Sequence, residues 1–558
     1  TDLMKMTGAR ILVETLIEQG VDTVFGYPGG QVLNIYDELY QNSDRLRHVL
    51  AAHEQGAAHA ADGYSRATGK VGVVIATSGP GATNLVTGIA TAMLDSVPMV
   101  AITGNVPCDL IGRDSFQEID ITGITLPITK HNYFVQNADD LADVIREAFK
   151  IAKSGRPGPV LIDIPKDVQI NLGEYEKQPV IEPFPNKIAP QDAIDRAVEV
   201  LKSSNRPYIY IGGGVAGAGM AKDICALADK IDAFIGCSFM GLSAVPSENR
   251  RFLGMQGMHG HYASSVAQDE ADVILAVGVR FSDRATGKKS RYAKNAKIIH
   301  LDLDFSEINK NISVEVGVCG DIIDSFKRIA DAVPGAVHPA WDALVTALRA
   351  KENESYIQTD KLTPKRAIDI INAETTPETV IATDVGQHQM WAAQYCDFRA
   401  PRKMVSSGGL GTMGFGLGAA IGASVGSGCK TVLITGDGSF GMNLNELATA
   451  VSIGAPVTVV IFNNGVLGMV RQWQTLFFNK HYSSTTLNRK TDFVKLAEAF
   501  GAQGFYADTP ETFTEVFRKA YATGEPCVID CRIDPNEFVL PMLPPGGSID
   551  DIITEKEA

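Results

Sequence analysis

Along the chain, short runs of β-branched and apolar residues alternate with stretches whose apolar positions recur every three to four residues. Continuous apolar runs suit strands buried on both faces, and a 3.6-residue period suits helices laid over them, so the pattern predicts parallel sheets covered by helices. In the first third, strands are predicted at 23–26, 72–76, 99–103 and 160–164. The proline-rich stretch QPVIEPFPNKIAP at 178–190 then reads as a linker. A middle block follows, with strands at 208–211, 273–277 and 298–303, and it ends in a polar helix-then-loop connection over about 335–364. The last third repeats the style of the first, with strands at 380–383, 431–435, 457–462 and 528–531. The predicted fold class is α/β: three doubly wound parallel-sheet domains at 1–178, 190–335 and 365–535. The tail at 536–558, with Pro541, Pro544 and Pro545, shows neither period. It reads equally as a disordered end or as a lid over a site.

Composition narrows this picture only slightly. A chain of 558 residues is too long for one core, and 45% hydrophobic with 21% charged residues is ordinary for a soluble globular protein. A net charge of −15 argues against a nucleic-acid partner, which needs clustered Lys and Arg. It leaves anionic ligands open, because helix N-termini and glycine loops bind phosphate whatever the global charge. No apolar run reaches the roughly 18 residues of a membrane span, and the N-terminus opens an amphipathic helix rather than a signal peptide. The eight cysteines lie scattered without a C-x-x-C pair and are expected as buried reduced thiols of a cytoplasmic protein.

In open parallel sheets ligands bind where loops leave the C-terminal strand ends, which directs attention to the residues just after the strands. The run TVLIT is followed by Gly436-Asp437-Gly438-Ser439, and VTVVIF by Asn463-Asn464-Gly465. The residues between them suffice for one helix and a returning parallel strand, so Asp437 and Asn464 should lie side by side. A carboxylate and an amide oxygen suit Mg²⁺, with phosphates and water completing its octahedron. Gly438 and Ser439 open the following helix, where free N–H groups can receive a diphosphate oxygen. In the first third, Glu54 starts a small-residue helix, EQGAAHAADGYSRATG. Tyr27-Pro28-Gly29-Gly30 and Thr77-Ser78-Gly79-Pro80-Gly81-Ala82-Thr83-Asn84 are glycine turns at neighbouring strand ends. With the Glu54 helix start, which follows the strand-like VLAAH at 49–53, these make three turns that could line an apolar wall suited to a heteroaromatic ring.

Gly436-Asp437-Gly438 through Asn463-Asn464 resembles the cofactor signature of thiamine-diphosphate enzymes. The resemblance implies Asp437 and Asn464 as Mg²⁺ ligands, with a third from the Val466 backbone carbonyl. It implies Glu54 as the carboxyl that shares a proton with the cofactor pyrimidine, with Pro28, Gly29, Pro80 and Asn84 around it. Within that class the chain resembles the acetohydroxyacid synthases over nearly its whole length. Ser407-Gly408-Gly409-Leu410-Gly411-Thr412-Met413-Gly414 matches their motif, with Met413 under the bent cofactor and Gly411 at the pyrimidine. Gln387 and His388 match diphosphate contacts. Met469-Val470-Arg471-Gln472-Trp473 matches the second-substrate pocket, where Met469 and Trp473 share one helix face. Gln117, Lys166 and Val106-Pro107 complete the channel, and Arg284 would pair with the acceptor carboxylate.

Gly212-Gly213-Gly214 alone is a weak dinucleotide signal. The resemblance extends it to an FAD site of the biosynthetic type: Met258 and His259, Gly278, Arg280 to Arg284, and Gly320 and Asp321. Arg156 and Asp302 join that set. The implied reaction decarboxylates pyruvate and joins the two-carbon remainder to pyruvate or 2-ketobutyrate, giving 2-acetolactate or 2-aceto-2-hydroxybutyrate. A homodimer or homotetramer with its active site at the subunit interface is implied, and a separate regulatory subunit, since no regulatory module is visible. Three residues depart from the family pattern: Gln31, where alanine is common; Ser282, where an acid is common; and Gly418, where proline is common. The rival readings are a pyruvate oxidase with the same cofactors, a glyoxylate carboligase (disfavoured by Glu54), a nicotinamide enzyme built on the triple glycine, and a non-catalytic cofactor-binding subunit.

Overall fold

The computed structural model describes residues 3–356 and 359–555. Every strand expected from the pattern is present, within two residues at either end. Strands that the pattern did not announce complete three six-stranded sheets, all parallel. In the N-terminal sheet the order is Arg47–Leu50, Thr23–Tyr27, Gly72–Ala76, Met99–Asn105, Pro159–Pro165, His131–Phe134. In the C-terminal sheet it is Met404–Val405, Val380–Thr383, Thr431–Gly436, Val457–Asn463, Cys527–Arg532, Gln503–Ala507. Numbered within each sheet, both run second, first, third, fourth, sixth, fifth. The central sheet instead runs Phe252–Met255, Phe234–Cys237, Pro207–Ile211, Val273–Val277, Lys297–Asp302, Val316–Cys319. That is the dinucleotide-binding order 3-2-1-4-5-6.

Strand order reverses between the first and third strands of the outer sheets, and between the first and fourth of the central one. Such switch points open a crevice at the C-terminal strand ends. Pro28-Gly29 and Thr77-Ser78-Gly79 leave the N-terminal switch, Asp384 to His388 and Asp437 leave the C-terminal one, and Gly212 and Gly278 leave the central one. The fold therefore delivers the expected glycine turns to three crevices.

The N- and C-terminal units are joined by two helices of small residues, Glu54–Thr68 and Gly416–Ser427. Each ends on a left-handed glycine, Gly69 (φ 77°) and Gly428 (φ 66°). They approach so closely that a methyl group on Gly422 would overlap the Ala60 carbonyl, and one on Gly63 the Ala419 carbonyl. Gly418 sits in the same seam, where a Cβ would lie 2.7 Å from the Gly56 carbonyl oxygen and would oblige the helices to shift. The departure from proline thus belongs to helix packing.

The helix of the second connection, Pro339–Glu354, packs on the central sheet, with Trp341 buried and its Nε1 donating to the Pro207 carbonyl at 3.0 Å. The tail is described as far as residue 555, and residues 556–558 lie outside the described residues. The Val539 N–H donates to Gln472 Oε1, the Leu543 N–H to the Met258 carbonyl, and the Lys288 N–H to the Gly547 carbonyl. The tail so ties the C-terminal unit to the central one. All eight cysteines are free, but only Cys237, Cys396, Cys527 and Cys531 are buried; the other four are half-buried, which corrects the expectation of uniformly buried thiols.

Candidate active site

The C-terminal half of the site begins from strand register. Gly436 pairs with Phe462, so Asp437 and Asn464 leave the sheet on adjacent strands at the same edge. Asp437 Oδ2 accepts from the Gly465 N–H at 3.1 Å, and Asn464 Oδ1 from the Val466 N–H at 3.2 Å. Burial, the largest effect on Asp437, pushes its carboxyl up to about 6 despite these donors. Val466 forms an isolated bridge with Thr486. The bonds of that bridge run from the Leu467 N–H to Thr485 O and from the Leu487 N–H to Gly465 O, so the bridge does not take the Val466 carbonyl. One carboxylate, one amide oxygen and one carbonyl that accepts no backbone bond outside helices and strands among the described residues form a hard-oxygen donor set that fits Mg²⁺.

Around this turn the expected contacts take distinct roles. The Ser439 hydroxyl donates to the Val385 carbonyl at 2.8 Å, so the helix start offers its backbone N–H groups rather than that hydroxyl. The Gln387 amide donates to Gln472 Oε1 and the Glu537 carbonyl, while its oxygen faces Asn464 Nδ2 at 3.4 Å. Its side chain is therefore a brace, and its place at the start of the Gln387–Tyr395 helix leaves only its N–H for a ligand. His388 lies against Gly436, and burial pushes its imidazole down to about 3, so it is neutral. Its Nε2 is buried with no protein partner among the described residues, which fits a donor waiting for a ligand oxygen. Gly411 (φ 68°) and Gly414 (φ 90°) turn the loop that carries Met413, whose methyl reaches toward Gly438. Asp384 accepts from the Gly414 N–H at 2.8 Å and secures that loop from below.

The N-terminal half gathers at the other switch point. Glu54 is the first residue of its helix, half-buried, and accepts from Asn84 Nδ2 at 3.0 Å. Gly81 lies beside the same carboxylate. Gly29 abuts Thr77, and the Gln31 N–H donates to Thr77 Oγ1 at 3.3 Å. Gln31, the second departure, thus points backbone rather than side-chain contacts at the turn. Lys166 Nζ donates to the Gly30 carbonyl at 3.2 Å. Gln117, held at φ 58°, covers Gly79, beside which Pro80 is exposed. Pro28, Gly29, Glu54, Pro80, Asn84, Gln117 and Lys166 thus share one edge. Among the described residues, the polar contacts of Glu54 and those of Asp437 form two separate groups.

In the central unit Gly278 (φ 60°) closes against Gly214, which brings the two switch-point loops together. Burial and then the nearby positive charge of Arg156 lower Arg280. Arg156 is balanced by Glu307 at 3.0 Å. Two neighbouring guanidinium groups suit a diphosphate. Asp321 caps the Ile322–Ala332 helix by accepting from the Ile323 and Asp324 N–H groups, and Asp302 accepts from the Asp304 N–H. The Gly320 N–H donates to the Asp302 carbonyl, so these residues shape the edge of the crevice. His259 is buried, pushed down to about 4 chiefly by that burial, with Nδ1 unpartnered among the described residues. Ser282, the third departure, is an exposed residue at the start of Asp283–Thr286. Arg284 Nη1 reaches the Met258 sulfur at 3.7 Å, and its guanidinium faces the Trp473 ring; Met469 precedes Trp473 by one turn.

Four residues that the sequence did not single out hold this geometry: Asp384, Glu446, Asp95 and the buried Gln472. Each works through backbone or amide groups distant in sequence. No short-range signal marks them.

Three family models match the chain: thiamine pyrophosphate enzyme N-terminal TPP binding domain over residues 6–124, central domain over 194–329, and C-terminal TPP binding domain over 384–531. These define the class as thiamine-pyrophosphate-dependent enzymes. The chain is 44% identical to the acetolactate synthase of Mycobacterium bovis, over 99% of this chain and 92% of that one. It is 44% identical to the acetolactate synthase large subunit of Corynebacterium glutamicum, over 98% and 90%. Its identity to the isozyme 2 large subunit of Escherichia coli K12 is 43%, over 98% and 99%. The chain belongs to the acetolactate synthase large-subunit family.

Proposed function

We infer that this chain condenses two 2-keto acids. Pyruvate loses CO₂, and the two-carbon remainder is joined to pyruvate or 2-ketobutyrate, giving 2-acetolactate or 2-aceto-2-hydroxybutyrate, the first common step of branched-chain amino-acid biosynthesis. The observation that carries this reading is the paired exit of Asp437 and Asn464 from adjacent strands beside the unpartnered His388 Nε2. When bound, thiamine diphosphate supplies an electron sink for the decarboxylation. Asp437, Asn464 and the Val466 carbonyl would hold Mg²⁺; His388 and the N–H groups of Gly438 and Ser439 would hold the diphosphate. Glu54 would hold and exchange a proton with the pyrimidine N1′, steadied by Asn84. Met413 and Gly411 would support the cofactor rings. Arg284 would orient the acceptor carboxylate, and Trp473 would bound its side chain. Lys166 and Gln117 line the approach and help exclude water.

The neighbouring charges of Arg156 and Arg280, with the glycine loops at the central switch point, support FAD as a further cofactor. A homodimer or homotetramer is the proposed assembly, with Glu54 of one subunit serving Asp437 of another. The separate polar groups and the exposed Tyr27, Leu33, Phe116 and Met442 support it. Among the described residues no helix is long and apolar enough to cross a membrane, and a cytoplasmic location, the three-unit division read from the sequence and a separate regulatory subunit belong to the same proposal.

Product analysis with pyruvate alone and with added 2-ketobutyrate, run anaerobically beside a flavin absorbance spectrum, tests it. Condensation products without oxygen are expected. A strict need for an electron acceptor would mark the chain as a pyruvate oxidase instead.

A further inference from the structure

The N- and C-terminal sheets share one strand order, and their equivalent second strands lead into the two helices that pack together. In the N-terminal unit Arg47–Leu50 runs through residues 51–53 into the helix begun by Glu54; in the C-terminal unit Met404–Val405 runs through 406–415 into Gly416–Ser427. Glu446 lies among the helices after the third C-terminal strand and is buried. It accepts from the Ala52 N–H at 3.2 Å and the His53 N–H at 2.9 Å. Asp95 follows the helices after the third N-terminal strand, with its side chain buried. It accepts from the Gly408 N–H at 3.0 Å and the Gly409 N–H at 2.7 Å. Each carboxylate has one donor from its own unit: Thr449 Oγ1 at 2.6 Å for Glu446, Arg66 at 2.9 Å for Asp95.

We propose that Glu446 and Asp95 are reciprocal positioning residues, each a carboxylate of one unit that fixes the loop presenting the other unit's cofactor-facing residues. Glu446 sets Glu54 by holding the two residues before it. Asp95 sets Gly411 and Met413 by holding the glycines that lead into them. A buried carboxylate is costly unless fully bonded, and both use their acceptors on backbone donors next to the site. The bonds cross between units, so the start of the Glu54 helix is aligned to the C-terminal frame as well as to its own sheet, where the Ala51 N–H donates to the Gly26 carbonyl. The functional part of this inference rests on the proposed roles of Glu54 and Met413, whereas the crossed anchoring stands apart from them.

The test uses the full chain and backbone amide hydrogen exchange. Glu446→Gln keeps the volume but opposes a donor to a donor, and should speed exchange at Ala52 and His53 roughly tenfold or more while leaving Gly408 and Gly409 near wild type. Asp95→Asn should do the reverse. Thr449→Val removes only the support of Glu446 and should repeat its pattern more weakly, even if Glu446→Gln does not fold. With thiamine diphosphate and Mg²⁺ bound, Glu446→Gln should slow exchange of the cofactor C2 proton roughly tenfold. It should add almost nothing in a Glu54→Gln background, because it acts through Glu54. Equal loosening of both loops by either variant, no loosening by any, or full additivity with Glu54→Gln overturns the proposal. A wild-type chain that fails to bind thiamine diphosphate refutes the site reading instead, and leaves the amide pattern to judge the anchors.

Discussion

The Arg284 guanidinium carbon lies 5.8 Å from the centroid of the Trp473 ring, so a short helix of the central unit meets a helix of the C-terminal unit. The tail joins them, since the Leu543 N–H donates to the carbonyl of Met258, whose sulfur faces Arg284. A guanidinium laid on an aromatic ring keeps its N–H fork free for a carboxylate. The resemblance implies that Trp473 bounds the acceptor's side chain, and the ring is half-buried against this cation.

Trp473→Leu should therefore change acceptor choice more than turnover. One methylene of apolar contact discriminates by about 10–200-fold, so the product ratio of 2-aceto-2-hydroxybutyrate to 2-acetolactate, in competition, should shift by roughly tenfold. Arg284→Lys keeps the charge and loses the fork, and should raise the acceptor KM. An unchanged product ratio in Trp473→Leu would remove it from the acceptor pocket.

Much of this was legible in the sequence because the site residues sit at the ends of central strands, whose apolar runs are unmistakable. The strands that escaped notice are mostly sheet edges such as His131–Phe134, Val316–Cys319 and Gln503–Ala507, where half-exposed positions break the apolar run. Glu446 was illegible for a different reason: its partners are backbone N–H groups almost 400 residues away, and such groups leave no mark in a side-chain pattern. Gln387 was legible as a site residue but not as a brace, because its partner Gln472 reads as an ordinary polar helix position. The order of the tail depends on the same residue.

Burial holds the Asp163 carboxyl at about 7, although Thr103 Oγ1 and Asn105 Nδ2 donate to it at 2.7 and 2.6 Å. The ordinary value is 3.8. Between the two, the folded state holds a proton that the unfolded chain has released, so this group makes stability fall as pH rises from about 4 to about 7. Asp163→Asn abolishes that ionisation. The unfolding midpoint of the variant, relative to wild type, should rise from pH 5 to pH 8, by roughly 2–4 kcal/mol in stability. A flat difference would mean that Asp163 stays charged throughout.

Packing of the joining helices yields a prediction that opposes helix propensity. Alanine normally gains about 1 kcal/mol over glycine within a helix. At Gly422 the added methyl would run into the Ala60 carbonyl, and overpacking of this kind costs about 1–3 kcal/mol or more. Gly422→Ala should lower the melting temperature. Gly217→Ala, in a helix where nothing lies within 4 Å of the new methyl, should be neutral or stabilising. Equal effects at both positions would mean that the helix pair can spread apart cheaply.

Gln472 is fully buried and serves two masters. Its oxygen accepts from Gln387 Nε2 at 3.0 Å and from the Val539 N–H at 2.8 Å, and its amide donates to the Val539 carbonyl at 3.0 Å. Leucine would fill the space but leave those groups unpaired, at about 1–3 kcal/mol each. Release of the tail into water would relieve that cost, working against the bonds that Gln387 Nε2, Trp391 Nε1 and Gln394 Nε2 make to tail carbonyls. Gln472→Leu should therefore speed proteolytic cleavage within 536–555 by about tenfold or more, leaving the rest of the chain intact. Arg291→Ala, which removes only the exposed ion pair to Asp550, should leave cleavage within about threefold of wild type, because such pairs contribute roughly 0–1 kcal/mol. A Gln472→Leu tail as resistant as wild type would show that Met542 and Leu543, buried beside it, hold the segment without the amide.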